Sequence, residues 1–81
     1  MKSDLSKEAQ RARLLNWLRT EGAIATTECR ELLAIMSPAA RVLELRRQGF
    51  DIRTLRRYVA DGEGVIHCQG IYQLVGGAGH D

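Results

Sequence analysis

Aromatic residues are scarce in this 81-residue chain: one tryptophan, one phenylalanine and two tyrosines, 5% of the sequence. Trp17, Phe50, Tyr58 and Tyr72 do not recur at a spacing that would build a base-stacking platform, and core or dimer packing explains them better. Only two cysteines are present, Cys29 and Cys68, and neither belongs to a Cys-x-x-Cys pair. No His-x-x-x-His spacing joins them, so no metal site is expected, and both thiols read as small packed apolar groups rather than a disulfide. No run of about 18 apolar residues occurs, which excludes a membrane-spanning helix. The segment Met1 to Ser6 lacks the apolar stretch of a secretory signal, so the cytoplasm is the expected location. Gly62, Gly64, Gly76 and Gly77 punctuate a turn and a tail and form no phosphate-cradling loop. His67 has no nucleophile or carboxylate pair at a telling distance. The chain therefore reads as a non-enzyme without a cofactor.

What is there suits one small folded domain: 44% hydrophobic residues to build a core and 27% charged residues to solvate it. The formal net charge is only +2, but its distribution is uneven. Between Arg41 and Arg57 stand six arginines (Arg41, Arg46, Arg47, Arg53, Arg56, Arg57) against two acids, Glu44 and Asp51, a local net of +4. The rest of the chain is net −2. Concentration of positive charge in one segment is the electrostatic footprint of a nucleic-acid-binding face.

The periodicity predicts a first helix from Ser6 or Lys7 to Glu21, with Leu14, Leu15 and Leu18 on its apolar stripe, Trp17 near the stripe edge and Gly22 as its stop. Ala23 to Ala25 reads as a short strand. A second helix spans Thr27 to Leu33 with Thr26 as N-cap, and Cys29, Leu32 and Leu33 point inward from it. Ala34, Ile35 and Met36 break the helix, with Ile35 and Met36 filling the turn. Ser37 and Pro38 then open a third helix, because serine is a good N-cap and proline fits the first helical position. It runs to Gln48 and stops at Gly49. Its stripe is Pro38, Val42, Leu45 and Gly49; Ser37, Ala40, Glu44 and Arg47 lie opposite, and Arg41 and Arg46 border the stripe. After Gly49 the period changes: Phe50 to Val59 and Val65 to Val75 read as two strands around the turn Asp61-Gly62-Glu63-Gly64. Cys68, Gly70, Tyr72 and Leu74 share one face of the second strand, and Gly70 marks a bulge or a close approach to a helix. Residues 1–75 form the expected domain and residues 76–81 a flexible tail.

Two short helices joined by a turn of three or four residues make a helix-turn-helix unit, which presents its second helix to the major groove. With the hairpin after Gly49 as a wing, the chain resembles the winged helix-turn-helix family, an α+β fold of three helices and a C-terminal β-hairpin. The stretch Ile35-Met36-Ser37-Pro38-Ala39-Ala40-Arg41, followed by Leu45-Arg46 and Gly49, is similar to small helix-turn-helix proteins of phages and prophages. The resemblance implies a sequence-specific binder of double-stranded DNA acting in transcription or mobile-element control. One recognition helix covers too little groove for specificity in a genome, so a homodimer is expected, at least on DNA, with the first helix near Trp17 as its self-association surface. The resemblance maps Ser37, Ala40, Arg41, Glu44 and Arg47 to groove-facing positions, while Arg53, Arg56 and Arg57 are placed to grip phosphates. Such turns often carry glycine where Ala34 stands, and a left-handed alanine there costs about 1 kcal/mol. The alternative is a winged-helix module that binds protein inside a phage replication or assembly complex.

Overall fold

A computed structural model describes residues 6–76. Six elements follow in order: α1 (Lys7–Glu21), β1 (Ala23–Ala25), α2 (Thr26–Leu33), α3 (Pro38–Arg47), β2 (Asp51–Ala60) and β3 (Ile66–Gly76). The three strands form one antiparallel sheet in the order β1-β3-β2. The expected hairpin is therefore wider by one strand: β1 pairs with β3 through Ala23–Gln73, Ile24–Tyr72 and Ala25–Ile71. Gly76 is the last residue of β3 and pairs with Asp51, so the folded unit reaches one residue beyond the expected boundary at 75; the remainder of the expected tail lies outside the described residues.

Each boundary has a local cause. The Ser6 hydroxyl accepts from the Ala9 N–H at 3.1 Å, and Gly22, at φ 91°, closes α1 with its N–H on the Leu18 carbonyl. The cap of α2 is Ala25 rather than Thr26, because the strand continues to Ala25 and the Glu28 carboxylate reaches back to its N–H at 2.9 Å. Thr26 instead sets a methyl 3.5 Å from where a side chain on Gly70 would begin, so Gly70 marks the close approach to a helix and not a bulge. Ala34 sits at φ 58° and ψ 35°, and this left-handed turn lets the Ile35 N–H reach the Cys29 carbonyl at 3.0 Å. At the end of α3 the Gly49 N–H bonds to Arg46 and the Phe50 N–H to Leu45, the paired bonds of a Schellman stop, with Gly49 at φ 106°.

All six elements and the turn after α2 contribute to one core: Leu14 and Leu18 from α1, Ile24 from β1, Cys29 from α2, Ile35 from the turn, Val42 and Leu45 from α3, Ile52 from β2 and Tyr72 from β3. Trp17 packs against it and donates its indole N–H to the Ala23 carbonyl at 3.1 Å, so its polar edge is satisfied within the chain. Burial pushes the Cys29 thiol up to about 11. Three positions expected inside are outside. Leu32 and Met36 are 57% and 72% exposed because Cys29, Leu33 and Ile35 take the core-facing positions of this stretch. Cys68 is exposed because it lies in the distal half of the hairpin, where no residue is buried.

Candidate nucleic-acid interface

Pro38, Arg41, Val42 and Leu45 are the buried residues of α3. At 100° per residue they define an inner face, and the outward face is centred on Leu43 and Arg47, flanked by Ala39 and Ala40. Ser37 stands exposed at the N-terminus as the cap, without a side-chain bond to the helix. Ala40 is half-buried, and Arg47 is exposed with no side-chain partner among the described residues. Leu43, at 45% exposure, is an outward-facing residue that the sequence reading passed over. Helical period alone could have found it, since at 100° per residue Leu43 lies about 150° from the centre of the buried face.

Arg41 and Glu44 are a correction. Arg41 is only 7% exposed. Its Nη2 donates to Glu44 Oε2 at 2.9 Å and its Nη1 reaches Gln10 Oε1 at 3.5 Å. Glu44 also accepts from Arg11 Nη1 on α1 at 2.7 Å. The Arg11 hydrogen bond, then the nearby charge of Arg41, hold the Glu44 carboxyl below the usual carboxylate range. The trio clasps α1 to α3, and Arg41 lies on the inner side of the helix, not on its groove-facing side. The border residue Arg46 has a fastening role too, donating Nε to the Ile52 carbonyl at 2.8 Å and Nη2 to Thr54 Oγ1 at 2.9 Å.

The hairpin arginines are exposed but do not share one face. From Ile52–Leu74 to Ala60–Ile66 the register is unbroken, so side chains alternate between faces. Arg56 falls on the face of Ile52 and Thr54, the one that packs on α3. Arg53 and Arg57 fall on the other. Contacts to them are loose: Arg53 to Asp51 at 3.8 Å, Arg56 to the Cys68 sulfur at 3.7 Å and Arg57 to Gln69 at 3.4 Å. The acidic tip is internally engaged. Asp61 Oδ1 accepts from the backbone of Glu63 and Val65, and Oδ2 lies 2.8 Å from His67 Nε2. The His67 bond, then those backbone bonds, hold Asp61 below the usual carboxylate range.

The arrangement is thus a helix-turn-helix whose second helix turns small and apolar groups and one guanidinium outward, beside a long hairpin carrying three more guanidiniums. No helix among the described residues is long and apolar enough to cross a membrane. No curated protein and no solved structure matches the chain. A model of the winged helix-turn-helix domain matches residues 9–76, a span that takes in every described element but the first two residues of α1. The chain belongs to the winged helix-turn-helix domain family.

Proposed function

We propose that the protein binds duplex DNA sequence-specifically as a cytoplasmic transcriptional or mobile-element regulator, in the manner of prophage-encoded regulators, with α3 as the recognition helix. The observation that carries this reading is the free outward face of α3, ending in the unpartnered Arg47, beside the exposed arginines of β2. Guanidinium forks suit both guanine edges and phosphates. Ser37, Ala40 and Arg47 are the helix residues retained for groove contact; Arg53, Arg56 and Arg57 are the phosphate candidates. A single recognition helix spans too little of the groove for genomic specificity, so two protomers on paired half-sites are expected.

A salt-titrated binding assay on duplex DNA tests the reading, with sedimentation of the complex giving its stoichiometry. Three exposed guanidiniums, Arg53, Arg56 and Arg57, each meeting a phosphate, give a slope of log K against log salt near about −2.7 per protomer. Absence of duplex binding at about 50 mM salt, where such contacts are strongest, rejects it. The protein-binding alternative draws on the distal hairpin, where Tyr58, Val65 and Ile66 are 71%, 51% and 61% exposed next to an acidic tip. That surface moves ahead if duplex binding fails.

A further inference from the structure

The chemistry of the outward face of α3 is narrower than helix-in-groove binding requires. Ala39 is exposed, Ala40 half-buried and Leu43 45% exposed. Arg47 closes the row one turn later. The acid on the same helix, Glu44, is held by Arg11 and Arg41. Between Ala39 and Arg47 that face therefore offers no free carboxylate or amide oxygen to accept a bond from the exocyclic amino group of adenine or cytosine. It offers methyl groups, one isobutyl group and one guanidinium.

In the major groove the apolar feature on a base edge is the thymine 5-methyl, and the preferred guanidinium partner is the O6/N7 edge of guanine. An apolar centre rimmed by Arg46 and Arg47 also matches, in charge, a groove floor of methyl groups between two phosphate rails. A protein surface would have to pair an apolar patch with an acidic rim to fit equally well. We propose that Leu43, assisted by Ala39 and Ala40, reads thymine 5-methyl groups, with Arg47 reading an adjacent guanine. This rests on the DNA-binding reading above and names the base chemistry that α3 selects.

The test removes methyl groups without altering any hydrogen-bonding edge. Duplexes enriched from a random pool on the full chain are remade with deoxyuridine in place of thymidine, first throughout and then one position at a time. Wild-type affinity should fall about fourfold for each methyl that α3 contacts, the worth of one buried methyl-sized group. Leu43→Ala should bind the thymidine and deoxyuridine duplexes alike, while Leu43→Met, which keeps apolar reach, should retain the discrimination. Because Leu43 is half exposed, a thermal melt of each variant should match the wild type. Duplex binding that is indifferent to every methyl overturns the proposal and leaves the DNA-binding reading standing. Discrimination that persists in Leu43→Ala overturns the assignment to Leu43. If the wild type binds no duplex at all, both fall.

Discussion

Ala34 is the one non-glycine residue among the described residues with positive φ. Its Cβ is crowded in that conformation, whereas glycine adopts it freely at the expense of a more mobile unfolded chain. Relief outweighs the unfolded-state term here, so Ala34→Gly should stabilise the protein by about 0.5–1 kcal/mol. A shift of that size raises the melting temperature of a small domain by a few degrees, roughly 2–8 °C, measurable by calorimetry. The need for a turn at Ala34 was legible in the sequence, since Ser37 and Pro38 must begin a new helix. The fate of Arg41 was not. Helical period places it at the border of the stripe, and what carries it inside is the clasp formed by Gln10, Arg11 and Glu44. Two of those groups stand thirty or more residues away, and no local pattern announces such a pairing.

At the scale of the element, caps and periods were readable and lengths of support were not. The starts and stops at Ser6, Gly22, Ser37 and Gly49 follow from single residues with definite backbone roles. By contrast, β1 owes its place to pairing with Ile71, Tyr72 and Gln73, and Cys68 owes its exposure to a hairpin whose far end buries nothing. The same division separates reading from gripping. Arg47 stands on a helix held by the core and by its Schellman stop; Arg56 stands on β2, on the face shared with Thr54. Arg47→Ala should cost about 1–3 kcal/mol of discrimination between a selected site and random DNA. Arg56→Ala should weaken both alike and flatten the salt slope by about one unit. Competition binding with both duplexes gives the two ratios; equal loss of specificity in both variants, or in neither, refutes the division of labour. Neither side chain is buried, so circular dichroism should show both variants folded.

Across the whole molecule, the clasp between α1 and α3 makes stability depend on acid. The Glu44 carboxyl sits below its ordinary range when folded, so the folded state holds that proton less readily than the unfolded chain does. Its contribution is complete above the unfolded value, near about 4, and is lost as pH falls through the folded one. Asp61 at the hairpin tip adds in the same direction. Urea midpoints measured from about pH 6 down to about pH 2 should decline for the wild type. Glu44→Gln should be less stable at neutral pH, because Arg41 stays buried without its counter-ion. It should also decline less steeply in acid, and an unchanged acid slope would remove Glu44 from the account.

From Arg53 to Ala60 every residue of β2 is exposed, so besides the backbone ladder to β3 and the bond from Gln69 to Thr27 Oγ1 at 2.7 Å, little holds the far end of the hairpin straight. A two-stranded ribbon is marginal on its own in water, and segments with few buried contacts open at small free energies. Arg56 and Arg57 therefore ride on a part of the molecule with less buried support than α3, which carries Arg47. Any ligand gripped by the ribbon must first quiet it, and the entropy lost in doing so is subtracted from what those two arginines contribute. The recompense is reach: an arm that bends can follow a surface whose contour varies, which the helix, fixed against the core, cannot.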